Sequence, residues 1–280
     1  MKKTSLIAFL LIIPFLTGAG YSGTNAPAYP DFLYKIGNGG IPQRTGQLKF
    51  GHASAISTSY TDVWDAKGAA AVYNWISGTA AIQVSSGDAN DASGDAGART
   101  VVLQGLDENW AFQEETITLN GQGTVACSLA YKRVFRAYVK TAGASQVNEG
   151  KIYFSLDGAA VSSGVPTNVT ELYLVIEATA GQTLHAPYTI RAGRTARLLS
   201  INVEQGTSNR VVDWRLFVRD NAAGEGWRVK LTGHMADGGS SNYSFAIPLT
   251  IPAQADVTVL AKSGGAADVS VFYELVEEGN

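Results

Sequence analysis

Beyond residue 48, apolar side chains come in short runs that alternate with polar ones at a period of two, the pattern of strands with one buried and one wet face. Trp214, Leu216 and Val218 share one face of a segment whose other face carries Arg215, Phe217 and Arg219. Leu199, Ile201 and Val203 oppose Ser200 and Asn202, and the alternation returns in Val257–Val259 and Val269–Tyr273. Nearly every run is β-branched or aromatic and is bounded by Gly, Asn, Asp or Pro. Helical periodicity shows only around Ala66–Trp75, where glycine and β-branched residues argue against it.

Turn signals such as Asn120-Gly121, Asp157-Gly158, Ala192-Gly193 and Ser263-Gly264-Gly265 punctuate the strands at the spacing of sandwiches and barrels. The predicted class is all-β: two consecutive antiparallel β-sandwich modules, jelly-roll-like, over residues 48–180 and 183–280, with the seam at Ala180-Gly181-Gln182. No repeat of 20–50 residues supports a solenoid or propeller. Residues 21–47, rich in Gly, Pro, Asn and Tyr and without periodicity, are expected to form an extended linker or arm.

The first 20 residues read as an address. Met1-Lys2-Lys3, the apolar run Leu6–Leu16 and the small residues Thr17–Gly20 have the form of a secretory signal. The run is shorter than the roughly 20 residues a membrane span needs, and Pro14 interrupts it. A cleaved signal, a retained membrane or assembly anchor, and an apolar arm buried in an assembly all fit, so membrane contact through this segment stays open. A lipoprotein anchor is excluded because no cysteine follows the run.

Composition narrows the function. The 280 residues carry a net charge of −3, only 16% charged side chains and 31 glycines, which favours turn-rich β structure and offers no basic field for nucleic acid. The single cysteine, Cys127, excludes an internal disulfide framework and multi-thiolate zinc sites, and it is expected to pack as a small hydrophobe.

Candidate chemistry is sparse. His52, His185 and His234 each stand alone, without the spacing that puts two ligands on one face, and no GxSxG elbow is present. The loop Gly87–Asp95 is the best candidate cation site because hard cations favour clustered carboxylates on a bent loop. It departs from a calcium loop in its glycine position and has Arg99 where a bidentate Glu belongs, so a solvated hairpin loop is the competing reading. Asp237-Gly238-Gly239 is a weaker acidic turn. The adjacent pairs Asp107-Glu108, Glu114-Glu115 and Glu277-Glu278 point to opposite strand faces, which argues against paired carboxylates for glycoside hydrolysis. Of the five tryptophans, Trp214 is expected in the core, and Trp110 and Trp227 form the expected exposed pair for stacking on sugar. No catalytic, cofactor-binding or metal residue is assigned.

Ala98–Trp110, Glu115–Gly121, Arg133–Val139 and Gly150–Ile152, followed by Tyr188–Ala196, Arg215–Arg219 and Ile251–Asp256, resemble the strand–turn series of virion structural proteins from environmental, largely marine, tailed bacteriophages. The resemblance covers about residues 48–280. It implies a non-enzymatic building block (capsid, decoration or tail-associated) in the virion, whose partners are itself and other virion proteins. The Met1–Leu16 segment departs from that pattern, since proteins assembled in the cytoplasm need no export signal; a membrane-containing virus or a retained anchor reconciles the two. The runner-up is a secreted or cell-surface carbohydrate-binding adhesin that meets host-surface glycan, and an enzyme ranks third.

Overall fold

The computed structural model describes residues 28–66 and 71–279; the signal-like segment 1–20 lies outside them. Helix α1 (Ala28–Gly37) leads into β1 (Arg44–Ile56) and the short β2 (Thr61–Asp62). A middle block follows: β3 (Ala80–Ser86), β4 (Ala98–Leu106), β5 (Phe112–Thr118), β6 (Val125–Tyr131), β7 (Arg133–Ala142), β8 (Ile152–Leu156), β9 (Val161–Ser162), β10 (Val165–Pro166) and β11 (Leu172–Ile176). The last block holds β12 (Tyr188–Thr189), β13 (Arg194–Gln205), β14 (Val211–Asp220), β15 (Arg228–Ala236), β16 (Ser240–Ile251), β17 (Ala255–Ser263) and β18 (Ala267–Gly279). The described residues are all-β apart from α1 and one 3-10 turn, and the strand pairs are antiparallel.

One sandwich stacks the sheet β1-β18-β13-β16 on a second sheet in the order β12-β17-β14-β15, with β2 also on β17. From β13 the chain crosses to the second sheet for the β14–β15 hairpin, returns at β16, crosses again at β17 and returns at β18, the winding of a jelly roll. Its core interleaves Leu198, Ile201, Val203, Val271, Tyr273 and Leu275 from one sheet with Trp214, Leu216, Val257 and Val259 from the other. The other sandwich packs β11-β8-β3-β6 against β5-β4-β7 around Ile82, Val84, Val101, Leu103, Phe154 and Leu174.

By pattern alone, residues 48–62 fall with the middle block. In the structure, β1 runs antiparallel to β18 from the Arg44–Glu278 pair to the Ile56–Ala267 pair, and β2 pairs with β17. The middle sandwich is therefore flanked on both sides by strands of the C-terminal jelly roll. Alternation cannot foresee this, because it says which face of a strand is buried but not which strand lies beside it.

Exit and return run side by side. Asp65 N–H donates to Leu184 O (3.2 Å), and Ala186 N–H donates to Val63 O (3.1 Å). This ribbon crosses β1 at Gly51, where a Cβ would stand 2.4 Å from Val63 O and 2.6 Å from Ala186 N, so only glycine lets the three backbones approach. A third apolar cluster of Trp64, Ala66, Tyr73, Tyr153, Leu172 and Val175 fills the space beside the ribbon.

Residues 28–37 are helical where composition suggests an extended arm. Ile36 is buried and packs on β1 beside Gly46, so tertiary burial of an apolar face overrides weak local propensity. Among the described residues, no helix is long and apolar enough to cross a membrane.

Candidate functional site

The loop nominated for a cation is a structural knot. Asp91 is wholly buried, and its carboxylate is saturated by protein donors. Oδ1 accepts the N–H of Ala98 (2.8 Å) and of Glu149 (2.9 Å); Oδ2 accepts the Ser86 hydroxyl (2.6 Å) and the Gly150 N–H (2.9 Å). Gly97 leaves room for it, since a Cβ there would lie 2.3 Å from Oδ1. Among the described residues, no group of three or more His, Cys, Asp or Glu is placed to hold a metal ion. The weaker acidic turn carries the chain from β15 in one sheet to β16 in the other, with Asp237 and Gly238 at φ of +52° and +74°.

The three histidines have separate structural partners. His52 bridges Asp65 through Nδ1 and Asp268 through Nε2, both at 2.9 Å, and its ring lines a shallow cavity of about 340 Å3 with Phe50, Asn202 and Glu204. The Asp65 hydrogen bond, partly opposed by burial and reinforced by the two carboxylate charges, raises its pKa to about 9. His185 is buried edge-on to Trp64 and Tyr73, and burial, then the Lys49 charge, holds it well below the usual histidine range. His234 meets Asp213 at 2.8 Å on the exposed face of β15.

A group protonated more readily when folded adds stability that is complete below its unfolded pKa and disappears as pH rises through the folded one. The His52 contribution is thus full below about pH 6.5 and lost toward about pH 9. Lys49 works oppositely: burial, with Arg136 nearby, lowers its pKa to about 7, so its penalty on the fold is relieved above that pH. Comparing wild type with His52→Gln cancels the Lys49 effect. The melting-temperature gap between them is expected to narrow steadily from pH 6 to pH 9.5, and a pH-independent gap contradicts the assignment.

Two of the adjacent carboxylate pairs, Glu114-Glu115 and Glu277-Glu278, lie in strands and separate by face; Asp107-Glu108 lies in the turn after β4. Glu277 is buried on Tyr188 Oη (2.6 Å) and Arg191, whereas Glu278 faces Arg44 and Arg197. Glu115 accepts Ser128 N–H and Tyr131 Oη while Glu114 binds Gln104. Asp107 caps its own turn through Asn109 and Ala111 N–H. Cys127 is half-buried against the middle core, and burial, with Glu115 beside it, pushes its thiol pKa up.

Trp214 is fully buried, as its strand face predicts. Trp110 and Trp227 do not pair. They end a ladder in which indoles alternate with guanidiniums: Arg133 lies 4.9 Å from the Trp110 centroid and 5.5 Å from Trp75, and Arg219 lies 5.6 Å from Trp75 and 4.5 Å from Trp227. Both guanidiniums converge on Asp256, which has no exposed surface. Arg133 grips it with Nε (2.9 Å) and Nη2 (3.0 Å), Arg219 donates from Nη2 (2.5 Å), and Thr189 adds its hydroxyl (2.6 Å). Burial by itself raises this carboxyl; the guanidiniums and the Thr189 hydroxyl outweigh it and hold the pKa below the ordinary value. Arg133 belongs to β7 of the middle sandwich and Asp256 to β17 of the jelly roll, so the cluster joins the two.

One surface feature went unread in the sequence. Strands β15 and β16 each end a sheet, and β16 carries no charged residue from Ser240 to Ile251. Between the Ser200–Ser244 and Leu198–Leu249 pairs, residues 245–248 of β16 oppose Leu199 alone, so the strand bulges there, with Phe245 packed on the core and Ile247 turned out. Ile247 is 86% exposed, and Tyr243 and Val229 are also exposed. Edge strands are normally guarded by charge, proline or a bulge. Here bulge and proline discourage endless strand pairing, while the lack of charge leaves an apolar knob. The available signal was twelve residues of strand-like sequence without one Asp, Glu, Lys or Arg.

No family model and no curated protein matches this chain. Solved structures aligned with it include a T13 IBDV viral particle (9% identity, TM-score 0.17, 85% of this chain and 76% of that one). The Gt strain of infectious bursal disease virus aligns at 7% identity and TM-score 0.15, over 85% of this chain and 79% of that one. The Gx strain aligns at 8% and 0.17, over 85% and 76%. Superpositions this loose carry no argument, and the functional reading rests on the chain's own geometry.

Proposed function

We propose that this is a non-enzymatic structural protein of a virion that works by protein–protein assembly, with copies of itself and other virion proteins as partners. The uncharged, bulged edge strand β16 carries the reading: a soluble monomer gains nothing from presenting Ile247 on an edge without charge, whereas a contact between copies buries it. The jelly-roll winding is consistent, since this fold serves capsid and lectin domains alike, and fold by itself does not choose between them. The titratable groups that sequence nominated for chemistry are engaged in structural pairings instead: Asp91 in its knot, Glu277 on Arg191, His52 between two aspartates. The second reading, a carbohydrate-binding module, is favoured by one feature, the aromatic pocket described below.

Purified protein is expected to form discrete oligomers in light scattering coupled to size exclusion. Ile247→Asp should shift the population toward monomer while changing the fold's stability by no more than about 0.5 kcal/mol, because the side chain is already in water. Wild type that stays monomeric at high concentration, or an Ile247→Asp variant with unaltered assembly, refutes the reading.

A further inference from the structure

We infer that the notch lined by Trp75 and Trp227 is a binding site for a neutral pyranose. It lies on the outer face of the jelly-roll sheet that contains β14 and β17 and encloses about 220 Å3. Its walls are Val72, Trp75, Phe217, Trp227 and Leu260, and its polar groups are Asp62 and Thr258. That is smaller than the roughly 300–1,000 Å3 of sites for drug-sized ligands and fits a single sugar ring.

The walls have the shape such a ring needs. The Trp75 and Trp227 rings touch, with centroids 5.3 Å apart and planes inclined at 52°, so they form one angled aromatic wall, and Phe217 stands edge-on to Trp227 at 6.5 Å. Pyranoses present C–H faces that stack on aromatic rings, with hydroxyls around the rim for acceptors. Asp62 supplies the acceptor. It is buried on β2, where Oδ1 takes the Thr258 hydroxyl (2.5 Å) and Oδ2 the Tyr73 N–H (2.8 Å), so each oxygen retains capacity for another donor. Burial, partly offset by those bonds, raises the carboxyl to about pKa 6, so near neutral pH it is chiefly the ionised acceptor.

Charge selects against other ligands. A cation stacked on these indoles would face the Arg219 guanidinium, which lies 4.5 Å from Trp227 and 5.6 Å from Trp75. An anion would face the Asp62 carboxylate. A neutral polyol with one apolar face satisfies both. No lining residue belongs to β16, so the site does not depend on the assembly reading.

The test uses the full chain and a panel of neutral methyl pyranosides, read by ligand-observed NMR and tryptophan fluorescence. At least one is expected to bind saturably with a dissociation constant on the order of 1 mM, in keeping with about twelve ligand atoms at modest efficiency. Trp227→Ala should weaken it at least about tenfold. Because Trp227 also contacts Arg219, Val72→Arg provides a second variant: the residue is 68% exposed at the mouth, so the change should block binding without altering the melting temperature. Ile247→Asp should retain the affinity per protomer, which separates failure of this site from failure of the assembly reading. Absence of saturable binding by the whole panel, binding that survives both pocket variants, or preference for tetramethylammonium or a uronate overturns the inference.

Discussion

Asp256→Ala is expected to be among the most damaging single substitutions in this chain, costing about 3–5 kcal/mol, the usual consequence of removing one partner of a buried ion pair. The Arg133 side chain is 5% exposed, and without Asp256 its charge has no carboxylate within the cluster, while the Thr189 hydroxyl loses its acceptor. For a protein of this size the loss corresponds to a fall in melting temperature of roughly 10 °C. Asp256→Asn keeps the shape but turns an amide N–H₂ toward a guanidinium, so it should fall between alanine and wild type. The pKa of Asp256 is depressed, so its contribution is complete above the unfolded value of 3.8 and fades as pH falls through the folded one. The stability gap between wild type and Asp256→Asn should therefore close in strong acid. Because Arg133 and Asp256 belong to different sandwiches, limited proteolysis of the alanine variant should accelerate first at the paired connections around residues 63–66 and 183–186. Calorimetry showing a shift of only a degree or two refutes the junction role.

Asp91→Ala is the second large effect. It leaves the N–H groups of Ala98, Glu149 and Gly150 and the Ser86 hydroxyl without their acceptor, and unsatisfied buried donors cost about 1–3 kcal/mol each before water relieves them. A net loss of about 3 kcal/mol is expected in urea unfolding. Amide hydrogen exchange should accelerate at those three N–H groups ahead of the rest of the middle sandwich. The same geometry predicts that excess calcium leaves the wild-type melting temperature unchanged, because the carboxylate oxygens are already taken. Stabilisation by calcium that disappears in Asp91→Asn contradicts the structural knot.

Much of the fold was legible because strand burial is a local property. The alternation at Trp214–Arg219 correctly put Trp214 in the core and left Phe217 and Arg219 outside, and adjacency separated Glu277 from Glu278. The sites were less legible because each depends on who stands opposite. Trp110 and Trp227 read as an exposed pair because both lie near turns, yet Trp75 and two guanidiniums stand between them. Gly87–Asp95 has a cation loop's composition, but the N–H of Ala98 and those of the distant Glu149 and Gly150 occupy its central carboxylate.

The sequence by itself determined that the chain would be β-structured, which faces its strands would bury, and that its low charge would leave neutral surfaces, since these follow from side-chain period and composition. Only the tertiary structure decided that β1 closes a sheet with β18, that the middle sandwich sits between two strands of the jelly roll, and that Arg133, Arg219 and Asp256 meet. The physical reason is that strand pairing and buried charge neutralisation are long-range choices: backbone hydrogen bonds are nearly indifferent to side-chain identity, so the winning partners are those that together leave the fewest apolar faces and polar groups uncovered.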